Sequence, residues 1–219
     1  DLANPLANAC AALELVRNEE EDDYREEYFD LLGQSLSHGS ALITVIRAMR
    51  AAADKPLTLS PIDLHEAIRS SVGMLQHMVA NKQINVEVAV PEGTFVRAEP
   101  VTIVNSVLNN LLTNAIKFSF PQGNIRLRSE TSAAGMTTLH IEDDGIGIPP
   151  EILGELFEIK ASTHRPGTAG ESGTGFGMPL VRKFMQLYGG DIVVTSHSQS
   201  DGEPRGTTVC LSFPACDSI

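Results

Sequence analysis

Three short stretches of this chain gather residue types that can do chemistry on a charged ligand. In Asn110-Leu-Leu-Thr-Asn114-Ala-Ile-Lys117 the two amides and the lysine fall at i, i+4 and i+7, which puts them on one helical face. Amide oxygens suit a hard cation such as Mg2+, and an ammonium offers a point charge to phosphate. In Asp143-Asp-Gly145-Ile-Gly147 a carboxylate follows the apolar strand Leu139-His140-Ile141. There it can accept a hydrogen bond from the exocyclic amine of adenine, where guanine would present an oxygen, and the glycines let the backbone turn beneath the ring. Asp-Gly at a strand end is also a common turn. In Gly173-Thr-Gly175-Phe-Gly177, glycines lead into a helix opening near Met178-Pro179, whose exposed amides suit phosphate oxygens. One glycine triplet is weak evidence, but the three stretches together favour ATP.

The elements that must hold these residues follow from periodicity. A helix over about 100–118 buries Ile103, Val104, Val107, Leu108, Leu111, Leu112, Ala115 and Phe118, with the polar trio on the neighbouring face. The pattern further predicts a helix over about 62–80, a strand from Ile84 to Val90, and strands near 124–130 and 137–142. A helix over 177–188 and strands near 191–196 and 207–213 complete the set. This order suggests an α/β sandwich, with helices on one face of a mixed sheet. Lys160 to Gly173 is the longest stretch without periodicity, and such a loop is usually functional or disordered.

Upstream, Leu2, Leu6, Ala9, Leu13 and Val16 make one apolar stripe, and Phe29, Leu32, Leu36, Gly39, Ile43 and Ile46 make a second. The acidic run Glu19 to Asp23 between them reads as a solvated hairpin tip. Two single-sided stripes cannot bury each other fully, which points to a four-helix bundle formed by dimerisation. Lys55-Pro56-Leu57-Thr58 is the expected linker.

Bulk properties narrow the class. With 219 residues, 42% apolar and 20% charged, the chain is globular, with one or two cores. Its net charge of −12 argues against non-specific nucleic-acid binding. No apolar run approaches the roughly 18 residues of a membrane span. Cys10, Cys210 and Cys216 are scattered without metal-ligand spacing, which suits a reducing cytoplasm.

The three stretches, in this order and spacing, resemble the ATP-binding domain of sensor histidine kinases, within the wider gyrase-like ATPase superfamily. The resemblance implies that Asn114 binds Mg2+ and that Asn110 and Lys117 contact the metal-phosphate region. Asp143, rather than Asp144, reads adenine, because the family pattern is Asp-x-Gly-x-Gly. Gly145, Gly147, Gly173, Gly175 and Gly177 frame the nucleotide. The loop before Gly173 resembles the family's ATP lid, and Leu156-Phe157 its hydrophobic hinge. Lys160, His164 and Arg165 are candidates for reaching the γ-phosphate, though solvated loop charges explain them equally. Gly206-Thr207-Thr208 matches the final glycine box and makes Thr208 a further candidate; a plain turn serves as well.

Hydrolysing members of the superfamily place a glutamate four residues before the metal-binding asparagine to activate water. Here that position is Asn110, which cannot act as a base, and this favours phosphotransfer. The kinases' helical box reads His-Asp/Glu-x-x-Asn/Thr-Pro-Leu. The chain opens Asp1-Leu2-Ala3-Asn4-Pro5-Leu6, so the histidine is expected immediately before Asp1. By resemblance, Asp1 is then the general base and Asn4 positions water for dephosphorylating a partner's phospho-aspartate. An N-terminal helix charge and a polar cap are the plain alternatives. None of the six histidines lies in such a box.

The implied protein is α+β: a helical hairpin over 1–54 forming a dimeric four-helix bundle, then an α/β sandwich ATP-binding domain over 55–219. It works as a cytoplasmic homodimer, using ATP and Mg2+ and passing phosphate through a histidine to the aspartate of a response-regulator receiver domain. Neither nucleic acid nor direct membrane contact is implied. The alternatives are a stand-alone ATPase of the superfamily and a degenerate kinase acting as a binding scaffold.

Overall fold

Alternation along the strands decides which face of the sheet is buried. Ile125 and Leu127 are buried in β4 (Asn124–Thr131), and Thr137, Leu139 and Ile141 in β5 (Thr137–Asp143). Val209, Leu211 and Phe213 repeat the pattern in β7 (Gly206–Phe213). With β2 (Asn85–Ala89) and β6 (Asp191–His197), these strands form a five-stranded sheet in the order β2-β4-β5-β7-β6. β2 runs parallel to β4 and all other neighbours are antiparallel, so the sheet is mixed. Its outer face carries solvated pairs such as Arg126–Glu87 and Arg128–Glu142, which contribute little to stability.

The computed structural model describes residues 3–18, 57–158, 165–171, 177–198 and 205–216, together with residues 28, 29, 32, 39, 43 and 175. Helices cover the buried face of the sheet. In α7 (Gly177–Leu187), Met178, Val181, Phe184 and Met185 line one stripe at spacings of three and four. Leu64, Ala67 and Ile68 do the same in α2 (Leu64–Met74), and all join one core with Ile103, Leu108 and Leu112. This arrangement is α+β with a mixed sheet, as expected.

The helix that carries the asparagines is built in three pieces. Glu99 caps α4 (Pro100–Thr102), its carboxylate accepting the Thr102 amide at 2.7 Å. A π-helical segment (Ile103–Leu108) follows and passes into α5 (Asn109–Phe118). Such wide turns within helices are frequent at functional sites. In the last turn Ile116 and Lys117 are buried, whereas Phe118 is only half-buried at the edge.

Two features differ from the periodicity. The helix expected over 62–80 starts as β1 (Ser60–Asp63), which pairs antiparallel with β3 (Phe95–Ala98). It then breaks at Leu75 into α2 and α3 (Gln76–Lys82). Asp63 fixes the start of α2 by accepting the amides of His65 and Glu66. Strands of four residues are too short to show alternation, which is why neither β1 nor β3 is legible in the pattern.

In the upstream region α1 (Ala3–Asn18) is helical, with Ala9 and Val16 of its stripe buried and Leu13 48% exposed. Residues 28, 29, 32, 39 and 43 are helical. The acidic tip, the rest of the second helix and Lys55-Pro56 of the linker lie outside the described residues. Among the described residues no helix is long and apolar enough to cross a membrane.

Candidate nucleotide site

Asp143 closes β5, paired with Ile125 on one side and Thr207 on the other. Burial pushes its carboxyl up to about 7, against the pull of backbone hydrogen bonds from Gly145 and Thr207; nearby Asp144 adds to the rise. Both oxygens of Asp144 are taken by Asn124, whose backbone amide and side-chain amide donate at 2.9 and 2.8 Å. The two adjacent carboxylates therefore differ in surroundings: Asp144 is held at the surface by Asn124, and Asp143 is drawn in against the Gly145 turn.

The turn after Asp143 is wedged between two elements. A Cβ on Gly145 would stand 2.3 Å from the Phe118 carbonyl oxygen at the end of α5. Gly147 has φ +70, and a Cβ there would stand 2.1 Å from the His197 carbonyl oxygen at the end of β6. Sequence reasoning missed Ser196. Its hydroxyl accepts the Ile148 amide at 2.8 Å, donates to the Gly206 carbonyl at 2.8 Å and lies 2.9 Å from the Thr207 hydroxyl. A serine in a strand carries no signal of that role. The Thr207 backbone amide bonds to Asp143, its partner across the ladder, and Thr208 stands opposite Glu142.

On α5, Asn110 donates its Nδ2 to the Ser106 carbonyl at 2.7 Å. This leaves Oδ1 turned toward the start of α7, 2.9 Å from where a Cβ on Gly177 would stand. The fold thus brings together the ends of two motifs that are far apart in sequence. Asn114 is half-buried one turn along. Lys117 is buried: its Nζ donates to the Arg165 carbonyl at 3.0 Å and lies 4.9 Å from the Phe118 ring centroid. Burial lowers its pKa; Arg165 and Lys82 reinforce this, and Glu171 opposes it.

Arg165 bridges the site. Its Nη1 donates to the Gly147 carbonyl at 3.0 Å, and its guanidinium stands 5.6 Å from the Phe118 ring centroid. Just past the short α6 (Pro150–Leu153), Leu156 and Phe157 pack against the core, with Arg182 over the Phe157 ring. Gly175 has φ +71. Asp1, Lys160, His164 and Gly173 lie outside the described residues, as does the side chain of Asn4.

The groups assembled here fit an adenine nucleotide with a hard cation: a half-buried carboxylate at the end of β5, and asparagine oxygens and a lysine on one helix. Among the described residues no three His, Cys, Asp or Glu gather, so a cation would draw on asparagine, phosphate and water oxygens.

The chain belongs to the family of histidine kinase-, DNA gyrase B- and HSP90-like ATPases, whose model matches residues 99–217. Within it the chain carries the ATP-binding core of a sensor histidine kinase. It is 28% identical over 197 residues to an uncharacterised sensor-like histidine kinase of Rhizobium meliloti, covering 89% of this chain and 36% of that relative's length. The fold matches Acinetobacter baumannii histidine kinase AdeS with a TM-score of 0.72 and 20% identity, over 99% of this chain and 98% of that one. It also matches the structure of histidine kinase ThkA in complex with response regulator protein TrrA. There the TM-score is 0.69 and the identity 18%, over 98% of this chain and 59% of that one.

Proposed function

We propose that this chain is the catalytic and dimerisation core of a two-component sensor histidine kinase. In this reading Asp143 accepts the adenine amine, Asn114 and Asn110 hold Mg2+, and Lys117 turns to phosphate. Gly145, Gly147, Gly173, Gly175 and Gly177 allow the backbone to approach the nucleotide, and Lys160, His164 and Arg165 belong to the lid. Thr208 stands beside the final glycine box.

The observation that carries phosphotransfer is Asn110. It occupies the place where hydrolysing relatives need a glutamate, and an amide, here donating its Nδ2 to the Ser106 carbonyl, cannot take a proton from water. ATP supplies the phosphoryl group. The imidazole nitrogen of a histidine preceding Asp1 attacks the γ-phosphorus, the bond to the β,γ-bridging oxygen breaks, ADP leaves, and Asp1 takes the imidazole proton. The phosphoryl then passes to a receiver-domain aspartate, as the ThkA–TrrA assembly suggests by analogy, and Asn4 positions water that hydrolyses the phospho-aspartate, releasing inorganic phosphate and restoring the carboxylate.

Residues 1–54 are the hairpin of a homodimer and 55–219 the catalytic domain. Leu13, an exposed member of the α1 stripe, supports a partner helix there. A cytoplasmic setting suits the ATP requirement and the scattered placing of the three cysteines, whether or not the parent protein is membrane-anchored.

The test is incubation with γ-labelled ATP of a chain extended upstream of Asp1. Acid-labile label that vanishes when the residue before Asp1 is replaced is the expected result. Steady phosphate release without protein-bound label would overturn it in favour of a stand-alone ATPase. Nucleotide binding with neither signal would favour a scaffold.

A further inference from the structure

Lys82 belongs to none of the nucleotide motifs, yet it is among the most heavily engaged polar side chains described. It is the last residue of α3 and is buried. Its ammonium donates to the carbonyls of Ile116, Lys117 and Ser119 at 3.0, 2.7 and 3.3 Å. Those carbonyls sit at the C-terminal end of α5, where a helix leaves acceptors without partners. The same ammonium reaches the Thr168 hydroxyl and the Glu171 Oε1, both at 2.7 Å.

Thr168 and Glu171 belong to the described part of the lid. The Thr168 amide donates to the Lys117 carbonyl at 3.1 Å, and its hydroxyl also donates to the Lys117 and Ser119 carbonyls. Glu171 accepts the Gly167 amide on its backbone carbonyl at 2.8 Å and the Ala169 amide on Oε2 at 2.9 Å. The turn fits tightly, for a Cβ on Gly167 would stand 2.6 Å from Lys117 Cγ. Directly upstream, Arg165 crosses to Gly147 and covers Lys117.

We infer that Lys82 is a positioning residue for nucleotide retention: through Thr168 and Glu171 it fastens the root of the lid to the end of the helix bearing Asn110, Asn114 and Lys117. The inference rests on the nucleotide site proposed above and adds a latch to it. A lid fastened at its root holds Arg165 across the cleft, so the latch controls how fast nucleotide leaves more than how fast it arrives. An ammonium in this position also ties lid order to helix order, because one group serves both.

The experiment compares the parent chain with Glu171→Gln and Thr168→Val, both on the loop side of the contact, which leave Lys82 and the α5 carbonyls in place. Hydrogen exchange of the unliganded chains reads the latch directly. The amides of Gly167, Thr168 and Gly170 should exchange roughly tenfold faster in each variant, while those of β4 and β5 stay unchanged. Stopped-flow release of a fluorescent ATP analogue should speed up by roughly the same factor, with association unaffected. Unchanged lid exchange would overturn the latch, and faster exchange with unchanged release would overturn its part in retention. A parent chain that binds no analogue would sink the nucleotide reading itself, and with it the retention role, while exchange would still decide whether the latch exists.

Discussion

Asp143 and Gly145 form one unit: the carboxylate's Oδ1 accepts the Gly145 amide at 3.0 Å, and a Cβ on Gly145 would stand 2.8 Å from that same oxygen. The residue two positions on therefore orients the carboxylate and, by having no side chain, leaves room beside it. The spacing Asp-x-Gly is a geometric requirement of a carboxylate that must be buried, aimed and still reachable.

Nucleotide affinity should depend on pH through Asp143. Burial holds its carboxyl near 7, so the stronger acceptor, the carboxylate, appears only as pH rises through neutrality. Binding of an ATP analogue should tighten from about pH 6 to about pH 8, and Asp143→Asn should weaken it roughly tenfold and flatten the profile. Isothermal titration at three pH values checks this.

The same residue should tilt stability the other way. Its folded pKa, about 7, lies above the ordinary value of 3.8, so the folded state binds the proton more tightly than the unfolded one. Stability should fall as pH rises between those values. Asp143→Asn should remove that slope, which urea denaturation at the two ends of the window would reveal.

Gly147→Ala should damage the fold itself. The substitution combines left-handed backbone with a collision against the His197 carbonyl, and neither can relax by rotating a side chain. A loss of at least ~2 kcal/mol is expected. An unshifted urea midpoint would show that the turn can move.

Gly177→Ala should separate binding from stability. Its new Cβ would meet Asn110 Oδ1, the end of a side chain, so the helix should stand with a change of less than about 1 kcal/mol. Displacing that oxygen should weaken Mg-nucleotide binding roughly tenfold, and more than it weakens the metal-free complex.

Acid should loosen the lid root. Burial tends to raise the Glu171 carboxyl, but the hydrogen bonds from Lys82 and from the Glu171 and Ala169 backbone amides hold it below the ordinary value of 4.5. That stabilisation is fully present above 4.5 and is lost as pH falls through the lower folded value. Lys82 and Lys117 are the charged groups that face it. Exchange at Gly167 and Thr168, corrected for its intrinsic pH dependence, should therefore rise at the acid end and should not do so in Glu171→Gln.

Much of this site is legible in the chain because its parts are local. Helical spacing places Asn110, Asn114 and Lys117 on one helix, and the strand before Asp143 announces a carboxylate at a sheet end. The ladder β4-β5-β7 follows from alternation, and the mixed α+β architecture from the order of elements. Short pieces escape this logic: β1 and β3 hold too few residues to alternate, and the π turn at Ile103–Leu108 leaves no mark on apolar spacing.

By itself, then, the sequence determines which residues bear chemistry and which helices and strands carry them, since those depend on neighbours within a few positions. Tertiary structure alone decides who meets whom across the cleft. It turns Asn110 toward Gly177, ties the Lys117 ammonium to the Arg165 carbonyl, sets Thr207 beside Asp143, and makes Lys82 a hub. These relations join segments up to 89 residues apart, as Lys82 and Glu171 are (171 minus 82). They depend on how a sheet and its helices close on one core, which no local periodicity encodes.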